Sequence, residues 1–394
     1  MIGIDVDVLH LPYSDREHKL HQPFARRIFE NTFRVTIQFQ NSFIPPSVQR
    51  AYDVSIRTAT AVSGGFSGAT VFRATTIDGR ELAVRRTPRS VALPPERMKR
   101  LYRLLRQISQ AGFGLIPVPL LPARTASRVS GDVDPSFMPW MPVDEIIWQI
   151  EPWMPGTSLS GDDLTTPDVS AALIALNQFH QLATKAVRVV GLDDWFVNAT
   201  KPSPAVLKRL SIVNELTHGM LDILQRELSK DSDDRFRSVA VRVCKSLRTW
   251  LPWLHRELTA LAAMSFPIQP VLRDIWRAHV LFTDREVTGL IDLSAAASDH
   301  VTVDVTRLVR SWYGTDVAKI QKSMEEYQSL RILNASELRL LQVLDASTVL
   351  LSPVTWLRRR MESCDTANVS NEVIARLVEL TIVAETFNPL PFVS

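Results

Sequence analysis

Cysteine is almost missing from this 394-residue chain: Cys244 and Cys364 are the only two. Two such residues make no disulfide framework, and their separation suits no metal site. Long apolar runs are missing too, none approaching the roughly eighteen residues that span a bilayer. The first fifteen residues hold three acids and no basic segment, so they do not read as a signal peptide. Charge of one sign does not dominate. Lys and Arg number 45 against 42 acids, for a net +3 and a sequence pI of about 8.9, too mild to imply nucleic-acid binding. The densest basic stretches, Arg97 to Arg106 and Arg358-Arg359-Arg360, interleave apolar residues and read as solvated helix faces. There is no internal repeat or low-complexity tract, and none of the eight histidines forms a His-Glu-x-x-His zinc spacing. With 45% hydrophobic and 22% charged residues, the composition is that of an ordinary globular, cytoplasmic chain long enough for two lobes and with no membrane partner.

What is present falls into three stretches. Residues 1–50 show no clear period and read as an N-terminal extension. Residues 51–150 read as a β-rich lobe. In it the glycine-rich segment Ser63-Gly64-Gly65-Phe66-Ser67-Gly68 opens a strand rich in β-branched and aromatic residues, Thr70 to Thr76. Asp78-Gly79 then makes a tight turn into Glu81-Leu82-Ala83-Val84-Arg85. Pro94-Pro95-Glu96 starts a helix with Met98, Leu101, Leu104, Leu105 and Ile108 on one face. A strand-like run, Ile146 to Ile150, leads into Glu151-Pro152-Trp153-Met154-Pro155-Gly156, which breaks regular structure. Residues 151–394 read as a helical lobe interrupted by a strand–loop–strand piece from Pro267 to Leu293.

The chemistry concentrates in that piece. Asp274 ends a short apolar run, His279 follows five positions later, and Asp292 lies eighteen positions after Asp274 in a second apolar segment. Phosphoryl transfer needs such a grouping: one carboxylate beside the accepting hydroxyl, and ligands nearby for a cation on the nucleotide phosphates. Glycines suit phosphates because the backbone N–H groups can approach with no Cβ in the way. An arginine at position 85 offers a planar fork of donors to phosphate oxygens. The segment around Ser67 also comes near a nucleophile elbow, but Ala69 replaces the closing glycine and a strand follows instead of a helix, which excludes a hydrolase reading.

Taken in order, these elements resemble the aminoglycoside phosphotransferase / choline kinase-like family, over roughly residues 59 to 394. That family writes Ser-Gly-Gly-Phe-Ser-Asn before the strand, a hinge Glu-x-x-Pro-Gly, and His-Gly-Asp-x-x-x-x-Asn followed by Ile-Asp-Phe. Here Gly68 stands for the asparagine, Leu272-Arg273 for His-Gly, and His279 for the second asparagine. The resemblance implies an α+β, protein-kinase-like bilobal fold, with a small β-rich N-lobe and a larger, mostly helical C-lobe. It also implies ATP-dependent transfer to a hydroxyl of a small molecule. On that basis Gly64, Gly65, Ser67, Gly68 and Arg85 hold phosphates, and Glu96 orients Arg85. Ile150, Glu151 and Trp153 form the adenine hinge, Asp274 is the base, and Asp292 with His279 binds Mg²⁺. Imidazole nitrogen suits softer metals, so His279 shifts the metal preference toward Mn²⁺ or, when protonated, donates to a phosphate. Asp299, Asp304 and His180 read as structural. The alternative is a nucleotide-binding pseudokinase with a degraded metal site. The helices between His180 and Pro267, with Lys201, Lys208 and Arg209, name no acceptor.

Overall fold

The computed structural model describes residues 44–62, 68–123, 138–190, 196–362 and 369–389. Its first part is an antiparallel five-stranded sheet of order β1-β2-β3-β5-β4. The strands are β1 (Ile56–Val62), β2 (Thr70–Thr76), β3 (Glu81–Pro88), β4 (Met141–Val143) and β5 (Ile146–Pro152). The hairpin turn at Asp78-Gly79 is as expected, with Gly79 at φ +85. Alternation gives the sheet two faces. Phe72, Ala74, Leu82, Val84, Trp148 and Ile150 cluster on the outer one with Ile44, Val48, Tyr52 and Val54. Val48 sits on helix α1 (Pro46–Ala51). Residues 44–50 are therefore part of this lobe's core, although they carry too few turns for a period to be read.

Cross-strand pairs Ala83↔Glu151 and Arg85↔Gln149 mark the inner face. It meets helix α2 (Pro95–Gln110), whose stripe of Met98, Leu101, Leu104, Leu105 and Ile108 is buried. That stripe shares one core with helix α3 (Thr166–Val190) and with the strands of the second lobe. The two lobes are thus joined by apolar packing as well as by chain.

The second lobe is mostly helical: α4 (Pro204–Glu215), α5 (Leu221–Leu228), α6 (Asp234–Ala262), α7 (Thr302–Tyr313), α8 (Val317–Leu330), α9 (Ala335–Glu362) and α10 (Asn371–Glu385). Between them lie β6 (Ala199–Lys201), β7 (Phe266–Val271) and β10 (Ala297–Asp299), ordered β10-β7-β6, and the hairpin β8 (Val280–Thr283) with β9 (Glu286–Leu290). The hairpin turns at Asp284-Arg285, both at positive φ. Lacking glycine, it gave no turn signal in the sequence. Helix α9 is long and apolar enough to cross a membrane by length and composition, yet most of that stretch is buried inside the protein. Gly156 closes the connection between lobes at φ +98, where a Cβ would lie 2.5 Å from the Phe282 carbonyl oxygen. Only glycine fits so close an approach.

Candidate active site

Strand β7 is buried from Ile268 to Val271 and delivers Leu272-Arg273-Asp274 to the cleft. Arg273 adopts φ +64, a left-handed conformation that needs support from its surroundings. Asp304, in the first turn of α7, provides it. Its carboxylate accepts the Leu272 and Arg273 N–H groups at 2.7 and 2.6 Å and meets His180 Nε2 at 2.9 Å. The other imidazole nitrogen meets the Tyr327 hydroxyl at 3.1 Å. Burial lowers the His180 pKa despite that carboxylate, so this is a neutral structural histidine. Asp299 accepts from the Ser203 hydroxyl and the Ala205 N–H at 2.6 and 2.8 Å, tying β10 to the start of α4. Both aspartates play the structural parts expected of them.

Asp274 is nearly buried and pairs with Arg307 on α7. The backbone carbonyl of Asp274 lies 2.7 Å from His279 Nδ1, while the Trp276 indole N–H donates to His279 Nε2 at 2.7 Å. Those partners assign the imidazole as the neutral Nδ1–H tautomer, in keeping with the lowering of its pKa by burial. With one nitrogen donating and the other accepting, no lone pair is left over for a metal and no proton for a phosphate. The case for Mn²⁺ lapses, and His279 acts as a strut that holds the loop from Asp274 to Trp276.

The same residue also places the second carboxylate. Ile291 N–H donates to the His279 carbonyl at 3.0 Å, which brings Asp292 Oδ2 within 3.8 Å of His279 Nε2. Asp292 sits at φ +57 and reaches across the cleft to Arg85 Nη2, 3.5 Å from Oδ1. Burial is the largest influence and opposes its charge, but Arg85, His279 and the Ser294 hydroxyl together outweigh it and hold the carboxyl below its usual range. Beside Arg85 on the inner sheet face, burial pushes Glu151 up to about 7, against the pull of Arg85. Gln149 donates to the Tyr102 hydroxyl, closing the back of the site.

Glu96 is not the partner of Arg85. It is exposed and pairs with Lys99 at 2.9 Å. Helical phase explains this: Glu96 falls with Arg100 and Arg103 on the polar face of α2. Arg97 shares the face of Leu101 and Leu104, is buried, and donates to the Ser294 carbonyl at 3.3 Å. The hinge also differs from expectation. The Ile150 carbonyl accepts from Leu120 at 2.8 Å and Trp153 N–H donates to Glu81 at 3.0 Å, so those backbone groups are committed to the fold. The Trp153 ring packs against the Arg73 guanidinium, 5.1 Å away. Gly64, Gly65 and Ser67 lie outside the described residues. Gly68, at φ +73, enters β2.

The family described as phosphotransferase enzyme family, APH, matches residues 58–341, well over half of the sequence. The chain belongs to that family. A search among curated protein sequences gives no match. Among solved structures, the phosphotransferase is similar to an aminoglycoside phosphotransferase from Alicyclobacillus acidocaldarius, at 16% identity and a TM-score of 0.61, covering 90% of this chain and 96% of that one. It is also similar to an amicoumacin kinase in complex with AMP-PNP, Ca²⁺ and amicoumacin, at 12% identity and a TM-score of 0.56, covering 87% and 93%. These likenesses establish the protein-kinase-like bilobal fold.

The phosphotransferase's donor set fits a hard cation on a nucleotide. No cluster of three metal-binding side chains occurs among the described residues, and none is needed. Mg²⁺ keeps several waters and takes one or two carboxylates plus phosphate oxygens. Asp292 is ionised, partly exposed and faces the cleft, as that ligand must.

Sequence reasoning missed Arg307 and Trp276. Arg307 had a signal available, lying three residues after Asp304 and so on the same side of the helix.

Proposed function

We propose that the chain transfers the γ-phosphoryl group of ATP to a hydroxyl of a small molecule. The observation that carries this reading is the junction of Asp274, His279, Asp292 and Arg85, where one imidazole touches both acidic residues and Arg85 of the other lobe reaches the second. A neighbour of the same fold, solved with AMP-PNP and a divalent ion, supports the choice of donor.

The acceptor hydroxyl oxygen bonds to the γ-phosphorus while the bond from that phosphorus to the β–γ bridging oxygen breaks, and ADP leaves. Asp274 receives the hydroxyl proton, a role worth about 10²–10⁴-fold. Its orientation is set twice, by Arg307 at the carboxylate and by His279 at the backbone. Arg85 offers donors to phosphate oxygens. Asp292 is the residue that would hold Mg²⁺, which when bound neutralises charge on the phosphates.

The test is transfer from γ-labelled ATP across a panel of hydroxyl compounds. Asp274→Asn lowers transfer by about 10²–10⁴-fold with ATP binding unchanged; full activity in that variant would refute the role. A second reading, a nucleotide-binding pseudokinase, draws on the fully engaged nitrogens of His279. It requires Mg²⁺-dependent ATP binding with no acceptor turned over.

A further inference from the structure

Arg85 needs an acid that Glu96 does not supply. Kinase sites pair the strand cation with a carboxylate on a helix of the small lobe. Helix α2 contains no acid besides Glu96, which faces solvent beside Lys99. The α2 side chain within electrostatic reach of Arg85 is Tyr102, a buried phenol whose hydroxyl accepts from the Gln149 amide. Burial pushes its pKa up to about 12, so it stays neutral and offers no charge.

Strand β5 carries the acid instead. The pairs Ala83↔Glu151 and Arg85↔Gln149 make Arg85 and Glu151 diagonal neighbours on one sheet face. Such neighbours lie about 7–8 Å apart, within reach of two long side chains. Arg85 feels two carboxylates, Asp292 first and Glu151 second. Its contact with Asp292, at 3.5 Å, is longer than a good hydrogen bond. The Glu151 carboxyl has no hydrogen-bond partner among the described residues, so no other part of the fold claims it.

We propose that Glu151 is the positioning residue of Arg85, giving the guanidinium a partner on its own sheet so that Asp292 is left to a cation; the proposal rests on the phosphotransfer reading above. One guanidinium cannot serve Asp292 fully and also leave that carboxylate open to a hard cation, which seeks the same oxygens. A second acid removes the conflict. With Glu151 beside it, Arg85 stays on the inner sheet face with donors turned to the phosphates. Without Glu151, Asp292 is the carboxylate that Arg85 faces, and arginine and cation contend for it. The helix acid of other kinases is thus replaced here by a strand acid two residues along from the position opposite the cation.

The test is calorimetric titration of ATP into the full chain, with and without Mg²⁺. It is run at about pH 8.5, above the value of about 7 to which burial raises Glu151, so that the carboxyl is charged. In wild type Mg²⁺ tightens ATP binding. Glu151→Gln keeps the shape and removes the charge; it cuts the Mg²⁺ gain by about threefold or more and leaves Mg²⁺-free ATP binding no weaker. Adding Gln149→Glu to that variant returns a carboxylate directly opposite Arg85 and restores the gain. The role is overturned if Glu151→Gln keeps the whole gain, or if the relocated carboxylate restores none of it. Equal weakening with and without Mg²⁺ also overturns it, since Glu151 would then be a nucleotide contact or a support of the fold. A wild-type chain that binds no ATP removes the phosphotransfer reading and this role together. Mg²⁺-dependent ATP binding that Glu151→Gln leaves unaltered removes this role alone.

Discussion

The two sides of the loop carrying Asp274 differ in how their charges are arranged. On the Asp292 side one cation, Arg85, faces the carboxyls of Asp292 and Glu151. On the α7 side Arg307, Arg310 and Arg376 are each held by a carboxylate, Asp274, Asp345 and Glu379. The first wall has more carboxyls than cations, so a polyphosphate approaches it only with a cation beside the phosphates. The second wall is built of paired charges that fix the loop. The difference teaches that an unbalanced wall is where a charged ligand is received and a balanced one is where the loop is braced, with Asp274 at the boundary.

The largest disturbance of this arrangement comes from Asp304, which anchors the loop between both walls. Asp304→Ala leaves two buried N–H groups and His180 without their acceptor, so thermal or denaturant unfolding should show a loss of about 3–5 kcal/mol. A loss under about 1 kcal/mol would mean that the loop is held by other means.

Glu151→Gln sharpens the nucleotide side alone. The folded-state pKa of Glu151 is raised from 4.5 to about 7, by burial first. Between those values the unfolded chain gives up its proton before the folded one does. Wild-type stability therefore falls as pH rises through that window and levels off above it. The glutamine variant loses this slope, which unfolding at pH 5, 6 and 7.5 measures.

The smallest effect belongs to Glu96→Gln. With its carboxylate in solvent beside Lys99, the change should leave ATP binding and turnover intact and alter stability by no more than about 0.5 kcal/mol.

Much of this was legible in residue order. The hairpin and the first long helix follow from local pattern, the two acids of the loop stand out by their spacing, and the places of Asp299, Asp304 and His180 follow from the family resemblance. Partnerships across the fold were harder to read. Glu96 was misassigned because proximity to a helix start was weighed above helical phase, although Arg97 had the buried face. The pairing of Arg307 with Asp274 joins residues 33 positions apart; the spacing from Asp304 turns Arg307 toward the loop but does not name its partner. At the hinge, the Ile150 and Trp153 backbone groups are claimed by Leu120 and Glu81, and only tertiary geometry shows this. His279 misled through its chemistry: an imidazole at a ligand position invites a metal, but its neighbours had engaged both nitrogens.

The central claim, that Asp292 carries the cation for a bound triphosphate, is tested most directly by calorimetric titration of ATP with and without Mg²⁺. Wild type should bind ATP at least about tenfold more tightly with Mg²⁺, a gain of about 1.4 kcal/mol, and Asp292→Asn should lose that gain. Equal affinity for ATP with and without Mg²⁺ in wild type, or an undiminished Mg²⁺ effect in Asp292→Asn, would contradict it.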